Sequence, residues 1–97
     1  MNNLLSVIGL AMKANKLVFG EKVILSIQKK QAQLVIISID ASDNTKKRLI
    51  DKCNYYGIDY LEMLSMEDIF KATGKVNRLY FSIIDSNFKK LIINKLR

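Results

Sequence analysis

The chain has no proline and no histidine, only four glycines, and a single cysteine, Cys53. Without histidine, the commonest general base and the commonest metal ligand are both missing. One cysteine cannot form an internal disulfide, and nothing else calls for an oxidising compartment, so a reduced, cytoplasmic protein is expected. Scarce proline and glycine suit a compact fold with short connections. A glycine-rich phosphate cradle is absent, and no calcium-loop spacing occurs. No stretch approaches the length of a membrane span. The N-terminal "MNNLLSVIGLAMKANK" carries no lysine or arginine before its apolar run, so it is not read as a secretory signal.

What is present is a hydrophobic half and an excess of positive charge. At 97 residues and 49% hydrophobic content, the chain is expected to form one domain, residues 1–97, with its own core. Sixteen basic residues stand against nine acidic ones, for a net charge of +7 and a pI near 9.6. A small domain this basic is biased toward polyanions, chiefly nucleic acid.

Helix and strand signals alternate along the chain. Leu4, Leu5, Ile8 and Met12 repeat at helical spacing and predict a helix from residue 2 to about residue 14. "LVF" is a very short strand ended by Gly20, and Val23, Ile24 and Ile27 mark the inner face of a second helix. The β-branched run "LVIISI", residues 34–39, predicts a buried strand. Ser42, Asp43 or Asn44 can cap a third helix, with Leu49, Ile50 and Cys53 inward and Gly57 as its left-handed stop. "IDYLEM" reads as a strand, and Ser65 with Asp68 as the capping pair of the short helix "SMEDIFKAT", which Gly74 ends. "LYFSII" is the last strand, and Phe88, Leu91, Ile92 and Leu96 form the inner stripe of a final helix. Strands separated by helices predict a sheet covered on both faces, an α/β protein built as a three-layer α-β-α sandwich.

No catalytic constellation emerges. Asp40 and Asp43 lie near the end of a strand, but acidic and amide residues there are better explained as helix caps. Cys53 falls on an inner helix face with no histidine partner and reads as a buried structural residue. Of Tyr55 and Tyr56, at least one is expected in the core, although either could stack on a base. The final basic helix needs its apolar stripe to cover the sheet, which argues against a membrane role. The lysines remain. Lys13, Lys16 and Lys22 flank the Gly20 turn in sequence, and Lys46, Lys47 and Arg48 crowd the start of the third helix, where the dipole favours acids. Helix amides near ammonium groups suit a phosphate backbone.

The segments "IGLAMKANKLVFGE", "LVIISIDASDNTKK", "DKCNYYGIDY" and "ATGKVNRL" together resemble the kink-turn-binding ribosomal protein family over essentially the whole chain. The resemblance implies an α-β-α sandwich with a small mixed sheet of four strands. It also implies a non-catalytic protein that binds structured RNA, kink-turn-like or otherwise bulged, in a ribosomal or translation-associated setting. Such ligands are read through shape, backbone and splayed bases.

In that family the site centres on a glycine at the first strand-to-helix junction, an Asn-Glu pair after it, a lysine one turn on, and an apolar loop before the last strand. Gly20 matches the glycine. Counted directly, the pair falls on Lys22 and Val23 and the lysine on Ser26. With a one-residue gap just after Gly20, the three positions become Glu21, Lys22 and Leu25. Neither placement restores the family's base-reading side chains. Gly74, Lys75 and Val76 match the loop before the last strand. The expected RNA-binding set is therefore Lys13, Lys16, Gly20, Glu21, Lys22, Ser26, Gly74, Lys75 and Val76. Lysine is a flexible point charge suited to phosphates, so backbone contacts are expected to dominate affinity. The competing reading is a protein-interaction adaptor that kept the fold and lost kink-turn recognition. A monomer is expected, with no cofactor, no small-molecule substrate and no membrane partner.

Overall fold

The computed structural model describes residues 2–97. The elements run α1 (Asn2–Lys13), β1 (Leu17–Phe19), α2 (Glu21–Gln28), β2 (Leu34–Ile37), α3 (Asp43–Tyr56), β3 (Asp59–Glu62), α4 (Met66–Thr73), β4 (Tyr80–Ile83) and α5 (Ser86–Lys95). The four strands form one mixed sheet in the order β1-β4-β2-β3. β2 and β3 are parallel, whereas β4 runs antiparallel to both of its neighbours, β1 and β2.

Side chains alternate across a strand, and the central strand β2 feeds both sides of the sheet. Leu34 and Ile36 join Leu4, Ile8, Ile69, Phe81 and Ile92 in a core under α1, α4 and α5. Val35 and Ile37 join Val23, Ile27, Leu49 and Cys53 in a second core under α2 and α3. All four β2 side chains are fully buried, which is why the run is continuously apolar with no polar alternation. The three-layer α-β-α arrangement with a mixed four-stranded sheet is thus the observed fold.

Local signals account for most boundaries. Ser42 is the cap chosen for α3, accepting a hydrogen bond from Thr45 N. Ser65 and Asp68 form the full capping box of α4. Gly57 and Gly74 end α3 and α4 in the left-handed conformation.

Two expectations need correction. β2 stops at Ile37, and Ile39 is 55% exposed, because the Ser38 hydroxyl and the Ile39 amide both donate to Leu64 carbonyl and bend the chain off the sheet. In α5, Ile92 is buried, and Phe88 and Ile93 pack against the core, but Leu91 and Leu96 are exposed. The inner stripe therefore keeps Phe88 and Ile92 of the expected four and adds Ile93, while Leu91 and Leu96 fall outside it. No described helix is long and apolar enough to cross a membrane.

Candidate nucleic-acid interface

β1 and β2 both run antiparallel to β4, so their C-terminal ends lie at the same end of the sheet. That end carries Gly20 after β1, the turn after β2, and the 74–79 loop that leads into Tyr80 of β4. Ser38 N donates to Leu79 carbonyl, tying the last two together.

Gly20 precedes α2 with φ 63° and ψ −137°, and its side of the helix has no side-chain cap. A side chain rarely adopts that backbone conformation, so glycine is required by the turn itself; a Cβ there would meet nothing within 4 Å. In contrast, α3, α4 and α5 each receive a side-chain cap from Ser42, Ser65 and Asp85. Val23 N turns back to the Gly20 carbonyl at 3.0 Å, which leaves the Glu21 and Lys22 amides to solvent or a ligand at the positive end of the helix dipole.

Beside this helix start is a shallow cavity of about 470 Å³ bordered by Phe19, Glu21, Lys22, Lys75 and Arg78. A smaller one, about 110 Å³, adjoins it across Arg78 and is bordered by Gly20, Asn77 and Tyr80. Arg78 lies over the Phe19 ring, its guanidinium carbon 5.5 Å from the ring centroid. Arg78 Nε is buried and lacks a hydrogen-bond partner, which among the described residues is true of no other buried side-chain nitrogen or oxygen. A donor left in that state favours an incoming acceptor. Val76 on the same loop is 64% exposed, an apolar surface next to the cations.

The expected residues divide cleanly. Gly20, Glu21, Lys22, Gly74, Lys75 and Val76 come together at this end. Ser26 does not belong with them: it is 3% exposed, and its hydroxyl donates to Val23 carbonyl at 2.6 Å and hydrogen-bonds Ser82 Oγ at 2.9 Å. Val23 is fully buried too, while Glu21 and Lys22 are exposed and Leu25 is 48% exposed. The gapped placement is therefore the one that puts all three positions on the outer face of α2. Lys16 is also elsewhere. Its carbonyl accepts from Ile84 N beyond the far end of β4, a strand's length or roughly 13 Å from Gly20. Lys13 borders a groove between α1 and the end of α4.

Two of the three cations at the start of α3 have partners within the protein. Lys46 pairs with Glu62 at 3.4 Å and Lys47 with Asp51 at 3.2 Å. Arg78 and Phe19 were missed by sequence reasoning. "NRL" before the last strand was a readable signal for the arginine, but nothing local indicated that the "LVF" phenylalanine would lie beneath it.

Similarity to known proteins extends over nearly the whole chain. Residues 2–93 match the Ribosomal protein L7Ae/L30e/S12e/Gadd45 family. The chain is 40% identical over 87 residues to RNA-binding protein YlxQ of Enterococcus faecium, covering 89% of this chain and 84% of that one. It is 37% identical over 90 residues to RNA-binding protein YlxQ of Bacillus subtilis, covering 92% and 90%. A solved structure of a protein of unknown function from Bacillus halodurans superposes with a TM-score of 0.89 at 37% identity, covering 96% of each chain. The Giardia lamblia 15.5kD RNA binding protein shares the fold, with a TM-score of 0.78 at 20% identity over 96% of this chain and 81% of that one. With the sequence match running from α1 into α5, the chain belongs to the Ribosomal protein L7Ae/L30e/S12e/Gadd45 family.

Proposed function

We propose that this protein is a non-catalytic RNA-binding protein that grips bulged or kink-turn-like RNA with the Gly20 end of its sheet. The observation that carries the reading is Arg78, held over Phe19 with a buried Nε that has no partner, beside Lys22, Lys75 and the uncapped start of α2. Guanidinium and helix amides together offer fixed donors to phosphates and base edges, and the lysines add positive field. Val76 supplies an apolar contact for a splayed base. The names of the two YlxQ relatives support RNA as the ligand class. A translation-associated RNA and a cytoplasmic setting are part of the proposal.

Glu21 borders the same cavity. Its carboxylate repels phosphate but can accept from a base amine, so it favours a base edge over a backbone contact at that point. The test is a titration of a bulged stem-loop and of a plain duplex of equal length. Wild type is expected to prefer the bulged RNA, and Lys22→Glu with Lys75→Glu to lose binding while keeping the far-ultraviolet spectrum of the folded domain. Equal binding to both RNAs would remove the shape-reading part, and survival of binding in the double variant would remove the site.

A further inference from the structure

The opposite end of the sheet carries a second collection of unbalanced charge, and it contains an aromatic side chain that stands outside the core. Leu17, Ile83, Leu34 and Asp59 pair in a single row across all four strands. Lys16 directly precedes this row before β1, and the helix ends that lead toward it carry Lys29 and Lys30 after α2 and Tyr55 and Tyr56 at the end of α3. The helices α2 and α3 both end here, since each leads into a strand that starts in the row.

Tyr56 packs against the core beneath α2 and α3. Tyr55 does not: it is 82% exposed and makes only an edge-on contact with Tyr56, ring centroids 4.9 Å apart at 78°. Its ring face is open to solvent. Lys52, one helical turn before it, shares that face of α3. None of Lys16, Lys29, Lys30 or Lys52 is in an ion pair among the described residues. The nearby acids are already engaged. Asp59 holds Lys89 at 2.7 Å, Asp51 holds Lys47, and the Asp85 carboxylate accepts from Asn87 and Phe88 amides. Cations at the end of α2 also suit its dipole, which accounts for Lys29 and Lys30 in part. The dipole gives no reason for an outward-facing tyrosine.

We infer that this end is a second RNA-contact surface, on which an unpaired base stacks against Tyr55 while Lys29, Lys30 and Lys16 follow the adjoining phosphates. Open aromatic rings flanked by basic residues are how single strands are held without sequence reading. The surface is separate from the Gly20 end and shares with that reading only the class of ligand. The two ends lie on opposite edges of a domain whose longest dimension is 31 Å, so one RNA with a single-stranded tail could engage both.

The probe is a labelled oligouridylate of about 12 nucleotides, titrated in parallel with the bulged stem-loop. Wild type should bind the oligouridylate with quenching of tyrosine emission. Tyr55→Ala and the pair Lys29→Glu, Lys30→Glu should each weaken it about tenfold, as expected for one stacked base or two phosphate contacts. Tyr55→Phe, which keeps the ring, should stay within about twofold of wild type. All these positions are exposed, so thermal melting should be unchanged in the Tyr55 variants and only slightly lowered in Lys29→Glu with Lys30→Glu, which opposes the α2 dipole. The inference is overturned if wild type fails to bind the oligouridylate, which would leave the face to a protein partner. It is also overturned if Tyr55→Ala binds normally while Lys22→Glu with Lys75→Glu does not, which would place the strand at the Gly20 end. Oligouridylate binding that depends on Tyr55, with no stem-loop binding by wild type, would retain this surface and remove the other.

Discussion

The Arg78 guanidinium sits 5.5 Å above the centre of the Phe19 ring, and Phe19 in turn meets Phe81 at 5.8 Å between centroids. Phe81 is fully buried, so a cation at the rim is aligned by contacts that reach the core. An arginine on a flexible loop would lose conformational entropy on binding; stacking restricts it beforehand. Arg78→Ala is expected to lower affinity for the bulged stem-loop by about 10- to 100-fold, the range for a hydrogen bond from a charged donor. Arg78→Lys keeps the charge but not the planar fork, and should recover only part of that loss. Filter binding or anisotropy at fixed salt checks it, and wild-type affinity in Arg78→Ala would exclude Arg78 from the contact.

Gly20 and Gly57 provide a paired test of backbone conformation. Gly57 has φ 70° and ψ 35°, within the left-handed helical region, whereas Gly20 combines φ 63° with ψ −137°. A methyl group added at either position would meet no atom within 4 Å, so any cost is conformational. Gly20→Ala is expected to lose about 1–3 kcal/mol and Gly57→Ala about 1 kcal/mol. Urea denaturation measures both, and an equal loss at the two positions would show that the turn before α2 relaxes.

Most of the fold was readable because its signals are local or periodic. The Ser65 and Asp68 capping box, the glycine stops after α3 and α4, and the buried β2 run all act within a few residues of where they are written. The site was harder, since adjacency along the chain differs from adjacency across a sheet. Lys16 and Gly20 are four positions apart, yet β1 places them at opposite ends of the sheet. Arg78 is far from Phe19 in sequence, yet the β1–β4 pairing brings them together. The exposed Ile39 and the shifted stripe of α5 depended on tertiary contacts that no apolar count contains.

Cys53 is fully buried, and burial pushes its thiol up from 9.0 to about 11. The unfolded chain therefore releases this proton near pH 9, while the folded protein keeps it to about pH 11. Protons bound in the folded state exceed those in the unfolded state across that window, so stability from this group is complete below pH 9 and falls as pH rises toward 11. Cys53→Ala should show a shallower loss of stability than wild type between pH 9 and 11 by urea denaturation. At pH 8 the native thiol should also resist alkylation until the protein is unfolded.

Adjacent positions on α2 separate the two placements of the family's lysine. Leu25 is 48% exposed and Ser26 is 3% exposed, with the Ser26 hydroxyl bonded to Val23 carbonyl and to Ser82 on β4. Leu25→Lys sets an ammonium group on the outer face one turn beyond the uncapped helix start, and its effect on stability should stay within about 0.5 kcal/mol. Ser26→Lys forces a cation between α2 and the sheet and strips Ser82 of its partner, so it should destabilise by more than about 3 kcal/mol or prevent folding. Combined with Glu21→Asn and Lys22→Glu, Leu25→Lys installs the Asn, Glu and lysine set on the outer face. That triple variant should bind a kink-turn more selectively over a plain duplex than wild type does, while the site's net charge stays the same because the added lysine and the lost Glu21 carboxylate offset Lys22→Glu. Competition binding between the two RNAs at fixed salt reads the change. Unchanged selectivity would mean that the outer face of α2 does not meet the bases.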